Sequence, residues 1–135
     1  MKIQGIVQDG KGDASFWLSK YSDVYQLWTG MNLISGSLNV HLTEKFDWND
    51  MSIEPFKKIY SLIPYGGNRD ICLIPCEIYK EEKNKIYGFA WATTNAANDL
   101  EYRVLEIITS VRLREVLQLE NGSVVTIDIP VDWKS

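Results

Sequence analysis

No run of this 135-residue chain is apolar for long enough to span a bilayer, and no surplus of lysine and arginine offers a face for nucleic acid. The formal net charge is −4 and the pI lies near 5.0. A protein that wraps nucleic acid needs a basic surface to displace counterions, so neither nucleic acid nor membrane is expected as a partner. A small anionic ligand stays open, because a bound cation and a few aimed amides neutralise it locally. Histidine occurs once, at His41, so no Ser-His-Asp or Cys-His arrangement is assigned. Cysteine occurs twice. On an extended segment Cys72 and Cys76 would stand roughly 13 Å apart, beyond disulfide reach. With only His41 to join them they complete no zinc shell, and both read as core thiols. The P-loop pattern G-x-x-x-x-G-K-[ST] is missing, as is the Lys and Asp-Phe-Gly set of protein kinases. Asp47, Asp50 and Glu54 lack calcium-loop spacing. Met1-Lys2-Ile3 leads into a strand-like segment with no apolar leader, so a cytoplasmic location is expected.

What remains is an ordinary globular composition, 45% hydrophobic and 24% charged, with five Trp and seven Tyr. Its length suits one domain over residues 1–135, with an apolar core that needs no disulfide. The aromatics favour a β-rich core or a site that stacks a flat ligand.

Ile3 to Gln8 carries a strand pattern, broken by Asp9 to Asp13; Phe16-Trp17-Leu18 resumes an extended run. Val24, Tyr25, Leu27 and Trp28 then fall at helical spacing, with Ser22 as N-cap and Gly30 as stop. Along Ser37 to Leu42 alternation puts Leu38, Val40 and Leu42 on a core face and Ser37, Asn39 and His41 on a polar one. Thr43 to Asn68 is irregular, with a short helix expected around Phe56 to Leu62. Ile71 to Tyr79, interrupted by Pro75, pairs with Ile86 to Thr93 as a hairpin; Thr94 to Asp99 is turn-like. Val104 to Ile108 is a strand, Arg112 to Leu117 a short helix, and Asn121-Gly122 turns into a last strand, Val124 to Ile129. About seven short strands with two or three short helices, and no β-α-β alternation, predict a mainly β fold: a compact barrel with helices at its ends.

Four constellations carry chemistry. Gly10-Lys11-Gly12 is either a hairpin turn or a loop whose amides cradle a phosphate. Ser37 and Asn39, two residues apart on an extended segment, either face water or offer two hard oxygen ligands to a cation such as Mg²⁺. Glu106, alone among apolar neighbours, is either an outward-facing strand residue or a carboxylate for a substrate hydroxyl. Arg112 and Arg114 are either the exposed side of a short helix or, at its end, partners for a phosphate or base.

In order along the chain, Gly5-Ile6-Val7, Gly10-Lys11-Gly12-Asp13, Phe16, Gly36-Ser37-Leu38-Asn39-Val40, Leu105-Glu106-Ile107-Ile108, Leu113-Arg114 and Asn121-Gly122 resemble the archaeal-type, CTP-dependent riboflavin kinases. The resemblance covers nearly the whole chain. It implies a cradle-loop β-barrel that transfers the γ-phosphoryl of CTP to the 5′-hydroxyl of riboflavin, giving FMN and CDP. It further implies that Lys11, Gly12, Asp13, Ala14, Ser15 and Phe16 wrap the nucleotide, and that Ser37 and Asn39 hold Mg²⁺ against its phosphates. Val111, Arg112, Leu113 and Arg114 would frame the base. Glu106, with Thr94 or Asn95 ahead of its strand, would contact the flavin, and Glu106 would orient or deprotonate the reacting hydroxyl.

Some positions depart from the family pattern. Ser37 stands for the usual threonine and keeps the hydroxyl. Ile34-Ser35 and Thr109-Ser110 replace the usual residues beside the glycine and before the last helix. Ala14 replaces a glycine, which would strain the loop if its φ were positive. Ala14 and Ile34-Ser35 motivate a second expectation, a barrel that binds flavin or nucleotide without transferring phosphate.

Overall fold

In the computed structural model, which describes residues 1–10, 13–99, 101 and 103–132, alternation decides the architecture. The strands are β1 (Lys2–Gln8), β2 (Leu38–Leu42), β3 (Lys58–Ser61), β4 (Asp70–Tyr79), β5 (Ile86–Thr93), β6 (Val104–Ile108) and β7 (Val124–Asp128). All pair antiparallel, in the order β3-β4-β5-β6-β2-β1-β7, and a further β4–β7 pairing closes six of them into a barrel. Residues two apart share a face, so Val40, Leu105, Ile107, Ile74, Ile78, Val125 and Ile127 all point inward and are almost wholly buried. Each such side chain, taken out of water, contributes about 1.5–3 kcal/mol.

β4 is the pivot. One of its edges pairs with β5 along Ile71 to Ile78, while the other holds β3 at Asp70–Leu73 and β7 at Glu77–Tyr79. Pro75 does not interrupt the strand as expected, because it falls where that second edge changes partner and no ladder bond is lost there.

The helices are short: α1 (Asp13–Lys20), α2 (Ser22–Thr29), α3 (Thr94–Ala97) and α4 (Leu113–Val116). α1 corrects the extended run expected at Phe16-Trp17-Leu18. Its buried positions Ala14 and Leu18 continue through Tyr21 to Tyr25 on α2, a spacing of four, three and four residues that forms one apolar face. Backbone bonds from Tyr21 N to Trp17 O (3.1 Å) and Tyr25 N to Tyr21 O (3.0 Å) carry the coil across the junction. α2 ends at Gly30 as expected, but Ser22 lies inside the helix and Tyr21 takes the cap position without a side-chain bond. The helix expected around Phe56 to Leu62 is instead a run of turns followed by β3 and a 3-10 turn at Ile63–Tyr65. The β-branched and aromatic Ile59 and Tyr60 there suit an edge strand laid on β4.

The second apolar cluster lies outside the barrel. Leu18, Tyr21 and Tyr25 pack on the outward faces of Ile71, Leu73, Trp91 and Ile108, with Leu62 from the end of β3. The molecule therefore has two layers, a closed barrel and a helical cover over one of its outer faces.

Candidate functional site

The register of the strands places the site between those layers. Gln8 pairs with Asn39, Asn39 with Glu106, Glu106 with Trp91, and Trp91 with Leu73. Directly opposed residues share a face, so these five side chains form one row across the outside of β1, β2, β6, β5 and β4. The row is polar at one end and apolar at the other. Ser37, two residues before Asn39, stands beside the middle of the row, and its Oγ donates to Glu106 Oε1 at 3.0 Å.

A cavity of about 770 Å³ runs over this row. That is at the large end of the roughly 300–1,000 Å³ typical of small-molecule pockets. Its polar half is lined by Gln8, Asp9, Gly10, Ala14, Ser15, Gly36, Ser37, Asn39 and Arg114. Its other half is lined by Trp17, Tyr25, Leu62, Ile71, Trp91 and Thr93, with Gly67, Asn68 and Arg69 from the β3–β4 turn at its rim. Glu106 belongs to the join.

Two glycines shape the polar half. A Cβ at Gly10 would overlap Asn39 Nδ2, so the loop after β1 lies flat against that amide. Gly36 holds φ at +133°, a region that side chains disfavour, and so turns the chain into Ser37 and β2. Ala14 and Ser15 sit in the first turn of α1, where backbone N–H groups lack intrahelical partners and the helix dipole favours an anion. Among the described residues the only non-glycine with positive φ is Gln118, so Ala14 sits without the strain that a left-handed loop would impose.

Arg114 is tied down: its Nη2 donates to Asn121 Oδ1 at 2.9 Å and, at 3.4 Å each, to Gln8 O and Asp9 Oδ1. The guanidinium thereby links α4, the turn before β7 and the end of β1, and lines the cavity while doing so. Leu113 points into the barrel core, Val111 is partly buried against it, and Arg112 is exposed at the cap of α4. Phe16 is largely exposed, in edge contact with Trp17. Lys11, Gly12 and the side chain of Asp13 lie outside the described residues.

Thr94 and Asn95 begin α3 and are not among the lining residues; Thr93, one position earlier, is. Its Oγ1 accepts from Ala96 N at 3.3 Å, capping α3. Sequence reasoning passed over Gln8, Trp17, Tyr25, Trp91 and Thr93. Only the pairing of five distant segments brings them together, and the abundance of aromatics was the one available hint.

Electrostatics follow burial. Burial pushes the Tyr25 hydroxyl far up, and the nearby Tyr21 and Glu106 push it further, so Tyr25 faces the cavity as a neutral phenol. No group of three or more His, Cys, Asp or Glu suited to a metal occurs among the described residues. The donors at the join are instead a hydroxyl, an amide oxygen and a carboxylate, hard oxygens that suit Mg²⁺ rather than a soft metal. Because the Ser37 proton goes to Glu106, the lone pairs of Oγ stay available to a cation. The residues therefore fit such an ion. No helix among the described residues is long and apolar enough to cross a membrane.

A family model for CTP-dependent riboflavin kinases, described as domain of unknown function DUF120, matches residues 7–129. Among curated relatives, a riboflavin kinase of Methanococcus maripaludis strain S2 is 30% identical over 132 residues, covering 96% of this chain and 100% of the relative. One from strain C5 is 30% identical over 134 residues with the same coverage. A riboflavin kinase of Picrophilus torridus is 25% identical over 136 residues, 99% of this chain, which spans only 59% of that relative's length.

Proposed function

The chain belongs to the CTP-dependent riboflavin kinase family, a family of phosphotransferases, and from that membership we propose that it moves the γ-phosphoryl of CTP to the 5′-hydroxyl of riboflavin, giving FMN and CDP. Residues 1–135 would form one cradle-loop barrel domain acting in the cytoplasm on these two small molecules, with neither nucleic acid nor membrane as partner. The observation that carries the proposal is the row Gln8-Asn39-Glu106-Trp91, which makes the floor of one cavity polar on one side of Glu106 and aromatic on the other. A phosphoryl transfer between a polyanion and a flat heteroaromatic needs such a divided site, with the donors for the reacting groups at the division.

The nucleotide takes the polar half. Gly10 lets the loop after β1 approach closely, and the N–H groups of Ala14 and Ser15 at the start of α1 donate to phosphate oxygens. Ser37 and Asn39 would hold Mg²⁺, which when bound neutralises charge on the phosphates. Arg114 fixes the wall toward the base through its bonds to Gln8, Asp9 and Asn121.

Riboflavin takes the aromatic half, with its ribityl chain directed toward Glu106. The Glu106 carboxylate accepts the 5′-hydroxyl hydrogen bond, orients the oxygen toward the γ-phosphorus and receives its proton as the new P–O bond forms. The bond from the γ-phosphorus to the β–γ bridging oxygen breaks, and CDP carries that oxygen away. A loose transition state asks for this alignment and neutralisation more than for covalent help.

The test is to incubate the purified protein with riboflavin, Mg²⁺ and each nucleoside triphosphate in turn, and to follow FMN by chromatography. FMN is expected with CTP, and Asn39→Ala is expected to abolish it while leaving the thermal melt intact. Riboflavin and nucleotide binding without product would instead mark a binding module, and wild-type turnover in Asn39→Ala would reject the metal role.

A further inference from the structure

Trp91 Nε1 is the single buried side-chain nitrogen or oxygen that finds no hydrogen-bond partner among the described residues. Trp91 is 6% exposed, lies on β5 directly opposite Glu106 and lines the aromatic half of the cavity. It also lines a second, smaller cavity of about 80 Å³ that shares Thr93, Val104 and Glu106 with the first, so its ring forms part of the wall between the two. Its ring and that of Tyr25 meet in a T-shaped contact, with centroids 6.2 Å apart and planes at 79°. An indole N–H buried without an acceptor is costly, and a bound molecule that supplies the acceptor removes that cost.

Resting on the kinase reading above, we propose that Trp91 is a specificity-determining residue for the flat substrate: its indole N–H donates to a ring carbonyl oxygen of the isoalloxazine. Three features of the site support the assignment. Trp91 lines the half of the cavity walled by Trp17 and Tyr25, and three aromatic side chains there suit a planar ring system. A ring in that half places its substituent chain over Glu106, the register neighbour of Trp91. The indole N–H donates and never accepts, so it selects carbonyl oxygens over N–H groups at that edge of the ring. Satisfying a buried donor gives the site discrimination of the kind that polar pockets achieve and apolar ones do not.

The experiment compares wild type, Trp91→Phe and Trp28→Phe by fluorescence titration with riboflavin, by titration with CDP and Mg²⁺, and by steady-state kinetics. Trp28 belongs to the same aromatic cluster, stacked on Tyr60 at 4.8 Å, but does not line the cavity, and so controls for general loosening of the cover. Trp91→Phe is expected to weaken riboflavin about tenfold, the factor that ~1.4 kcal/mol represents, to raise the riboflavin KM by the same factor, and to leave the affinity for CDP and Mg²⁺ unchanged. Trp28→Phe is expected to change none of these by more than about twofold. A folded Trp91→Phe protein that binds riboflavin like wild type overturns the proposal while leaving the kinase reading in place. Loss of CDP affinity in parallel overturns it as well, since that pattern marks a packing role. A wild-type protein that binds CDP and Mg²⁺ but no riboflavin overturns both.

Discussion

Cys76 carries the effect of the barrel interior on a single ionisable group. Its side chain faces inward from β4, and burial pushes the thiol up from 9.0 to about 12. The direction of the consequence follows from proton counting. Above about pH 9 the unfolded chain releases the thiol proton while the native chain keeps it, so the native state binds more protons and stability falls as pH rises. The slope from this one group is about 1.4 kcal/mol per pH unit until the native thiol titrates in turn. Tyr25, also pushed upward by burial, adds to the same alkaline loss at higher pH. Urea unfolding midpoints at pH 8, 9, 10 and 11 check this: between pH 9 and 11 wild type should lose on the order of 2 kcal/mol more than Cys76→Ala, whatever their difference at pH 8. Equal losses would mean that the thiol is not held in its neutral form by the barrel.

Among the elements, the turn into β2 has the most direct bearing on the site. Gly36 has φ at +133° and a hypothetical Cβ there meets nothing within 4 Å, so Gly36→Ala produces backbone strain rather than a clash. The strain, of order 1–3 kcal/mol, falls on the residue that delivers Ser37 to Glu106. Gly36→Ala is therefore expected to lower the melting temperature slightly and to cut FMN formation by more than tenfold. Intact turnover would show that the Ser37–Glu106 contact does not depend on this turn. β2 was legible in the sequence because Leu38, Val40 and Leu42 alternate cleanly with polar neighbours, so period two alone separated the core face from the polar face. α1 was not legible. Its apolar face, from Ala14 through Tyr25, is completed only across the junction with α2, and the local Phe16-Trp17-Leu18 run has strand propensity that the packing of Leu18 on the barrel overrides. For the same reason Ala14 and Ser15, expected as part of a loop around the nucleotide, lie instead in the first turn of a helix. Trp91 needed the β5–β6 register and Thr93 the β4–β5 register, which no local pattern encodes.

At the scale of the whole molecule, the cavity between barrel and cover makes ligand binding a measure of whether the two layers stay together. The barrel is closed by the β4–β7 pairing and filled by the larger apolar cluster, so its inner strands open only when the protein unfolds globally. α1 and α2 are held by the smaller cluster, so opening of this cover alone is expected to cost less than global unfolding. On the proposed function, riboflavin with CDP and Mg²⁺ would contact both layers and would bind neither the uncovered nor the unfolded form. Each opening is then opposed by RT ln(1 + [L]/Kd), about 2.7 kcal/mol at a hundredfold excess over Kd. Hydrogen exchange should accordingly slow about a hundredfold both in α1–α2 and in the central strands. The exposed turn at Lys80 to Lys85, which joins β4 to β5 and lines neither the large cavity nor its neighbour, frays without disturbing the site and should exchange at an unchanged rate. Slowing confined to the central strands, with affinity for both ligands confirmed, would mean that the ligands rest on the barrel alone and that the helical cover takes no part in holding them.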